Sequence, residues 1–282
     1  MTAQRMSPLI IDELVSRALR EDFGDAGDIT TAATIPANAT SKANIAARKS
    51  GIIAGGDLAL AAFRLVDPAI RISIEKDDGA RAIEGKRILA IEGPSRGILS
   101  AERVALNFLG HLSGIATATA ALVDAVTGTN ASIACTRKTT PGLRALEKYA
   151  VRCGGGRNHR FGLYDAVMIK DNHIAAAGGI ANALRAARAT TGHMVKIEIE
   201  VDGLGQLTQA LDEGADVVLL DNMSVEDLKK AVALNNGRAV LEASGNVTLD
   251  TVRAIAETGV DMISSGWITH SAPSLDLGMD FK

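Results

Sequence analysis

The chain has 282 residues, of which 47% are hydrophobic and 22% are charged. This mixture is typical of a folded globular protein and excludes a disordered chain. Thirty Lys and Arg residues stand against 33 Asp and Glu residues, so no basic field indicates binding to nucleic acid or to an anionic membrane. Aromatic residues make up 3%, too few to build platforms that stack single-stranded nucleic acid.

No apolar run approaches the roughly 20 residues that a membrane helix needs. Residues 1–21 carry charges within their apolar pattern, unlike a signal or transit peptide. The two cysteines, Cys135 and Cys153, form no CxxC pair and have no histidine at zinc-ligand spacing. We therefore expect a cytoplasmic protein in which both thiols are reduced and serve as small core residues.

The first part of the chain, residues 1–115, is predicted to form a smaller α+β domain. Apolar and charged residues at helical spacing predict a first helix that begins near Leu9 and ends at Gly24. Strict alternation of apolar and polar residues predicts three strands with one solvent-facing side, at residues 43–49, 70–76 and 87–92.

A long helix is predicted over residues 100–126, which are rich in Ala and Leu. Ser100 is a candidate N-cap because its hydroxyl can accept a hydrogen bond from the first turn. Gly110 and Gly114 are predicted to be weak points of this helix, since glycine is unfavourable in a helix interior.

The second part, residues 116–282, is predicted to form an incomplete α/β barrel of about six strands. Short runs that are apolar throughout indicate parallel strands buried on both faces, and helix-like stretches separate them. The later runs repeat about every 21–23 residues, close to the length of one βα unit. The six runs lie at residues 131–134, 166–169, 195–199, 217–220, 239–241 and 262–263.

Polar and charged groups follow each of these runs. In parallel α/β folds the active site lies at the carboxyl ends of the strands, so six such coincidences favour a site there over ordinary loop polarity. The groups are Thr136-Arg137-Lys138, Lys170-Asp171-Asn172-His173, Glu200, Asp221-Asn222, Glu242-Ala243-Ser244-Gly245 and Ser265-Gly266.

Cations dominate this predicted site. Arg137, Lys138 and Lys170 follow strands, and Arg160 follows a run of three glycines. Clustered Arg and Lys side chains suit a ligand with several carboxylates or phosphates. By contrast, the neighbouring basic residues spaced by four on a predicted helix are interpreted as a solvated face, and they are Arg144, Lys148 and Arg152.

Two carboxylates, Glu200 and Asp221, end successive strands and are predicted to lie side by side. They could act as a general acid and base in a reaction of a sugar ring. They could also hold a Mg²⁺ ion that bridges a polyphosphate, and the surrounding cations favour this second interpretation.

The last two strands are followed by Ser244-Gly245-Asn246 and Ser264-Ser265-Gly266. Glycine allows backbone N–H groups to approach an anion, and barrels often bind a phosphate after their final strands. A monophosphate site is therefore the favoured interpretation of these two loops. Trp267, beside Gly266, is interpreted as a packing residue rather than a platform for substrate.

Many separate segments, in order from about residue 20 to the end, resemble one family, quinolinate phosphoribosyltransferase. The segments are residues 20–24, 27–31, 100–103 and 110–117, Thr136 through Arg144, residues 148–151, 154–156 and 158–160, Lys170 through His173, residues 198–201, Leu220 through Asn222, residues 242–246 and residues 259–266.

The resemblance implies a mixed α/β N-terminal domain beside an incomplete α/β barrel, and a homodimer. It also implies a reaction between quinolinate and phosphoribosyl pyrophosphate that gives nicotinate mononucleotide, pyrophosphate and CO₂ with Mg²⁺. Once the pyridine nitrogen is quaternised, the ring can accept the electrons of the adjacent carboxylate. Cleavage of that carbon–carbon bond therefore requires no protein acid or base.

The resemblance also assigns roles to residues. Lys170, Glu200 and Asp221 are the predicted catalytic residues, and Glu200 and Asp221 approach a Mg²⁺ ion held mainly by the pyrophosphate. Arg103 is predicted to reach into the site of the neighbouring subunit. The full predicted substrate-binding set is Arg103, Thr136, Arg137, Lys138, His159, Arg160, Ser244, Gly245, Asn246, Ser265, Gly266, Trp267 and His270.

Two alternatives stay open at this point. One is a paralogue of the same fold that is found with molybdate-uptake systems, although the intact cationic set argues against it. The other is a non-catalytic regulator that binds a phosphosugar, which would not need Glu200 and Asp221 together with a dicarboxylate pocket. At the positions of Phe161 and Trp267 the resemblance leads us to expect smaller or aliphatic side chains. These two larger side chains therefore bear on how closely the substrate fits the site.

Overall fold

The computed structural model describes residues 5–282, which form two compact units. The first unit comprises Met1–Ala118, Leu146–Gly155 and Ala272–Lys282, described from residue 5 onward, and the second comprises Thr119–Ala145 and Gly156–Ser271. The division of the sequence at residue 115 placed the two later segments of the first unit in the barrel domain.

The strands are β1 (Thr40–Ala47), β2 (Gly51–Ile52), β3 (Arg71–Ile74), β4 (Arg81–Ala82), β5 (Arg87–Pro94), β6 (Ser132–Ala134), β7 (Val167–Ile169), β8 (Ile197–Val201), β9 (Val217–Asp221), β10 (Val240–Ser244), β11 (Met262–Ser264) and β12 (Leu277–Phe281). The helices are α1 (Pro8–Phe23), α2 (Ile29–Thr34), α3 (Gly56–Val66), α4 (Ser95–Ala125), α5 (Arg144–Cys153), α6 (Asp171–Ala177), α7 (Ile180–Thr190), α8 (Leu204–Asp212), α9 (Val225–Asn235), α10 (Val252–Ala256) and α11 (Trp267–His270).

The first unit contains an antiparallel sheet in the order β12-β1-β5-β3, together with the small pair β2-β4. The three predicted alternating segments are confirmed as β1, β3 and β5. In β1 the burial alternates as predicted, with Ala43, Ile45 and Ala47 buried. The predicted first helix is α1, and Gly24 caps its C-terminus through a bond from its N–H to the carbonyl of Arg20.

Helix α4 begins at Ser95, so the predicted N-cap at Ser100 is wrong. The hydroxyl of Ser100 instead donates to Oδ2 of Asp28, 2.9 Å away. The carboxylate of Asp28 in turn caps α2 by accepting the N–H of Thr31 at 2.9 Å. The hydroxyl of Ser100 therefore takes part in a contact between distant segments rather than in a local helix cap.

Gly110 and Gly114 do not interrupt α4; they allow the C-terminal segment to pass close to it. The N–H of Leu275 donates to the carbonyl of Gly110 at 2.9 Å. A Cβ atom on Gly114 would lie 2.2 Å from the carbonyl oxygen of Pro273.

Helix α4 is also long and apolar enough to cross a membrane. However, 56% of its most apolar 18-residue segment is buried within the protein, as in a core helix.

The expectation that Arg144, Lys148 and Arg152 form a solvated face is wrong for two of them. Lys148 is completely buried, and the adjacent Glu147, also buried, pairs with Nε2 of His111 at 3.0 Å. The guanidinium of Arg144 donates to Oγ1 of Thr139 and to the carbonyl of Phe161. Spacing by four residues does not reveal which face of a helix is covered by the rest of the fold.

The second unit contains a six-stranded sheet in the order β6-β11-β10-β9-β8-β7, and every pairing in it is parallel. Helices follow its strands, so the predicted incomplete α/β barrel is confirmed. All six predicted runs form strands, although β8 begins two residues later than predicted and continues to Val201. Cys135 and Cys153 are buried thiols that form no disulfide with each other, as expected.

Candidate active site

A cavity of about 710 Å³ opens at the carboxyl ends of the six parallel strands. All of the predicted site residues except Arg103 line it. They are Thr136, Arg137, Lys138, His159, Arg160, Lys170, Glu200, Asp221, Ser244, Gly245, Asn246, Ser265, Gly266, Trp267 and His270. Arg103 lies exposed on α4 in the first unit.

One wall of the cavity is formed by two guanidinium groups. Burial and, less strongly, the charge of Arg137 lower the pKa of Arg160 below its usual range. Nη1 of Arg160 donates to the carbonyl of Ala166 at 3.0 Å, while its Nε is buried and has no hydrogen-bond partner among the described residues. An anion bound here would relieve the repulsion between the two cations and could accept the unused N–H.

The same cavity is lined by the two predicted carboxylates, which lie on neighbouring strands. Glu200, in β8, accepts a hydrogen bond on Oε2 from Nζ of Lys170, which follows β7. Asp221 ends β9 and accepts a hydrogen bond on Oδ2 from the side-chain amide of Asn222 at 2.7 Å. Carboxylate oxygens of this kind are hard donors that fit Mg²⁺, and the adjacent ammonium fits an anion such as a phosphate.

The loop after β10 is built around Gly245, which has a φ of +99°. A Cβ atom at this position would lie 2.0 Å from Oδ1 of Asn222, so only glycine fits beside that side chain. Asn222 and Asn246 also have positive φ values, of 52° and 51°. The backbone of this loop is therefore held close to the cavity in a conformation that most residues avoid.

The loop after β11 contains Gly266, where a Cβ atom would lie 2.8 Å from Cδ of Lys138. Trp267 follows it and is 43% exposed while lining the cavity, so its side chain is not part of the core. Helix α11, which begins at Trp267, has only four residues. An anion on this side of the cavity would therefore be bound by N–H groups of the loop backbone rather than by the N-terminus of a long helix.

His159 lines the cavity with both ring nitrogens engaged. Its Nδ1 accepts the backbone N–H of Arg160 at 2.8 Å, and its Nε2 lies 2.7 Å from Oε2 of Glu198. Glu242, in β10, approaches the same Nε2 to 3.8 Å. In this structure the imidazole holds protein groups in place, including the backbone of Arg160.

Comparisons with known proteins agree with this arrangement over nearly the whole chain. Residues 28–113 match the N-terminal domain of quinolinate phosphoribosyl transferase, and residues 115–280 match its C-terminal domain. The chain belongs to the quinolinate phosphoribosyltransferase family. The two family domains meet at the beginning of the second half of α4, between residues 113 and 115.

Relatives in this family span nearly the same length. The chain is 46% identical over 273 residues to the nicotinate-nucleotide pyrophosphorylase [carboxylating] of Mycobacterium leprae, covering 95% of this chain and 96% of the relative. It is 44% identical over 275 residues to the probable nicotinate-nucleotide pyrophosphorylase [carboxylating] of Bacillus subtilis, covering 98% and 94%. The solved nicotinate-nucleotide pyrophosphorylase from Francisella tularensis has a TM-score of 0.95 at 40% identity and covers 100% of this chain and 99% of that chain.

Sequence reasoning named Glu242 as a polar group after a strand but assigned no role to it, and it assigned no role to Met168, Leu219 or Glu198. In the structure Met168, Leu219 and Glu242 line the cavity, and Glu198 contacts His159. All four residues lie within strands rather than after them. The available signal was the alternation Ile197-Glu198-Ile199-Glu200, because a carboxylate two residues before Glu200 points to the same side of the strand.

Proposed function

We propose that this chain transfers the phosphoribosyl group of phosphoribosyl pyrophosphate to the ring nitrogen of quinolinate and removes one carboxylate as CO₂. The products are nicotinate mononucleotide, pyrophosphate and CO₂, as a step of NAD biosynthesis. Membership in the family supports this activity. The observation that supports this activity at this site is that Arg137 and Arg160 form one wall of the same cavity that Glu200 and Asp221 line.

Quinolinate is a planar dianion, and the cationic wall suits it. The planar guanidinium groups of Arg137 and Arg160 can bind carboxylates in bidentate fashion. Lys138 adds a third positive charge, and Met168 and Leu219 supply apolar surface for the ring. Thr136, His159 and His270 complete the binding set on this side of the cavity.

Phosphoribosyl pyrophosphate is proposed to lie toward Glu200 and Asp221, with Mg²⁺ held mainly by its pyrophosphate. The two carboxylates fit the ion as hard oxygen donors, and the ion would neutralise charge on the pyrophosphate. Lys170 would stabilise the leaving pyrophosphate directly. The 5′-phosphate would be held by the loops after β10 and β11, through Ser244, Gly245, Asn246, Ser265, Gly266 and Trp267.

The cavity walls then support the two chemical stages. As pyrophosphate leaves, the ribose gains oxocarbenium character, and nearby carboxylates stabilise that positive charge. The ring nitrogen of quinolinate attacks the ribose carbon and becomes quaternary. The positive ring then accepts the electron pair of the adjacent carbon–carboxylate bond, and CO₂ is released.

We further propose a cytoplasmic homodimer in which Arg103 of one subunit enters the cavity of the other. An open, six-stranded barrel leaves part of its site uncovered, and a two-fold related subunit can cover it. Arg103 supports this role because it is an exposed cation on α4 rather than part of the core.

The deciding experiment mixes the protein with quinolinate labelled in its 2-carboxylate, phosphoribosyl pyrophosphate and Mg²⁺ in a single turnover. We expect labelled CO₂ and pyrophosphate in equal amounts. The Glu213→Gln variant, altered at an ion pair on the surface, serves as a control and should match the unaltered protein. Binding of phosphoribosyl pyrophosphate without CO₂ release would favour a non-catalytic regulator or the paralogue associated with molybdate uptake.

A further inference from the structure

The inner end of the cavity holds a buried cluster of His159, Glu198 and Glu242. One nitrogen of the imidazole and one oxygen of each carboxylate lie within 4.8 Å of one another. Glu198 is 6% exposed and Glu242 is 4% exposed. Each of the two carboxylates has a buried Oε1 atom without a hydrogen-bond partner among the described residues.

The proton of His159 can be placed from its contacts. The backbone N–H of Arg160 can only donate, so Nδ1 of His159, 2.8 Å away, is the accepting nitrogen. In the neutral imidazole the ring proton is therefore on Nε2, which lies 2.7 Å from Oε2 of Glu198. This tautomer has no lone pair on Nε2, so the cluster is not arranged to bind a metal ion through His159.

One donor faces two buried carboxylates. The Nε2–H of His159 is directed to Glu198 at 2.7 Å, whereas Glu242 lies 3.8 Å from that nitrogen. Glu242 has no charged donor of its own, and only the hydroxyl of Ser264 faces it as a further donor, so burial favours the protonated form of this carboxyl group. Consistent with this, burial and then the charge of Glu198 raise the pKa of Glu242 to about 7, although His159 and the hydroxyl of Ser264 partly oppose the shift.

We propose that Glu242 is the general acid that delivers the proton which takes the place of CO₂ on the pyridine ring. The inference rests on the proposed function. When CO₂ leaves, the electron pair of the broken bond stays on C2 of the ring. That carbanion takes the proton from the Glu242 carboxyl, which forms the new C–H bond and leaves Glu242 as a carboxylate. A proton from water then restores the acid.

Three other proton-bearing groups of the cavity, Lys170, His159 and His270, are less suited to this step. The ammonium of Lys170 is paired with Glu200, and the ring proton of His159 is paired with Glu198. His270 is exposed and bonded to Ser271. Glu242, by contrast, adds no negative charge in its neutral form to a cavity that must accept a dianion. Its neighbour in the adjacent strand β9 is the apolar Leu219.

The pH dependence follows from the groups that face Glu242. Those groups are Glu198 from β8, His159 from the loop before β7, and the hydroxyl of Ser264 from β11. Leu219, its register neighbour in β9, is uncharged. Because the acid form is the active one, the rate of CO₂ release should fall as the pH rises through about 7.

The test separates pyrophosphate release from CO₂ release in rapid-quench single turnovers of Glu242→Gln. Until the carbanion is protonated, CO₂ can return to the ring. We therefore expect pyrophosphate release near the rate of the unaltered enzyme, CO₂ release slower by about 100-fold, and accumulation of the carboxylated mononucleotide. Labelled CO₂ added to the reaction should enter that mononucleotide. The fall in CO₂ release with rising pH should disappear.

Several outcomes would overturn the proposal. Release of CO₂ at the unaltered rate would mean that water supplies the proton. Equal slowing of both releases would mean that Glu242 acts in binding. If Glu242→Gln does not fold, the Glu242→Asp variant is measured instead. It retains an acid, so its rate of CO₂ release should still fall with rising pH. A rate of CO₂ release from Glu242→Asp that does not change with pH overturns the proposal. Failure of the unaltered enzyme to release CO₂ would instead contradict the proposed function.

Discussion

Nζ of Lys170 donates a hydrogen bond to Oε2 of Glu200 inside the cavity, joining the ends of the neighbouring strands β7 and β8. The pair is partly exposed, with 43% of the Lys170 side chain and 14% of the Glu200 side chain accessible. Each partner can therefore turn to a ligand of opposite charge: Lys170 to a phosphate, and Glu200 to a cation. The bond holds both side chains at the site before substrate arrives.

Removal of either carboxylate should separate the two substrates. We expect Glu200→Ala and Asp221→Ala each to weaken the Mg²⁺-dependent binding of phosphoribosyl pyrophosphate by ~2–4 kcal/mol, a typical loss for one charge-assisted contact in an active site. Quinolinate alone should bind nearly as before. Isothermal titration calorimetry with and without Mg²⁺ measures both affinities. Equal loss of both ligands would contradict a role of these carboxylates toward the metal.

The second prediction concerns the planar fork of Arg137. Arg137→Lys keeps the charge but replaces two parallel N–H donors by one ammonium, so we expect a severe loss of quinolinate binding. Arg185→Lys, at an exposed ion pair with Glu213, is the matched control and should bind quinolinate normally. In the unaltered enzyme nicotinic acid, with one carboxylate fewer, should be a poor substrate. Equal use of the two acids would show that the cavity does not recognise a dicarboxylate.

The third prediction concerns stability rather than catalysis. Gly114→Ala would bring a Cβ atom to 2.2 Å from the Pro273 carbonyl, so the C-terminal segment must shift. We expect a loss of ~1–3 kcal/mol in the free energy of unfolding, typical of overpacking. Gly205→Ala in α8 is the control and should be neutral or slightly stabilising, because apart from the adjacent backbone of the helix no atom lies within 4 Å of the added Cβ. Equal melting temperatures for both variants would argue against a close approach at Gly114.

The strands of the barrel could be predicted because their cause is local. A parallel strand covered on both faces is mostly apolar, and four of the six runs from residue 131 onward are apolar throughout. The run at residues 131–134 contains Ser132, and the run at residues 195–199 contains Lys196 and Glu198. The start of α4 could not be predicted, because the hydroxyl of Ser100 bonds to Asp28, 72 positions away. The burial of Lys148 has the same origin, since helical spacing does not tell which face the rest of the fold will cover.

The rim of the cavity could be predicted from a rule of topology, since polar residues after parallel strands converge at one edge. The contacts at its inner end could not. Glu198 lies in β8 and Glu242 lies in β10, and these two strands are not adjacent. Their meeting at His159 depends on the curvature of the sheet, and no local pattern contains that information. The contact of His159 with Glu198, 39 positions away, likewise depends on the tertiary fold.

The last prediction tests the proposed contribution of Arg103 across the two-fold interface. Arg103 is exposed on α4, where a surface arginine is the ordinary interpretation, while Arg137 lines the cavity. If each site combines Arg137 of one subunit with Arg103 of the other, Arg103→Ala and Arg137→Ala should each be nearly inactive alone. A dimer formed from one copy of each variant contains one site with both arginines and one site with neither.

Mixing the two inactive variants should therefore restore activity. Random reassortment of equal amounts makes about half of the dimers mixed, and half of the sites in a mixed dimer are intact. About a quarter of the unaltered activity should therefore return in the unfractionated mixture, and about half in the isolated mixed dimer. The assay is co-expression with two different affinity tags, isolation of the doubly tagged dimer, and measurement of CO₂ release. As a control, Arg137→Ala combined with Arg160→Ala should stay inactive, because both residues line the cavity of the same subunit and every mixed dimer lacks one of them at each site. If the doubly tagged dimer of the Arg103 and Arg137 variants is as inactive as its parents, Arg103 does not act in the neighbouring subunit's site.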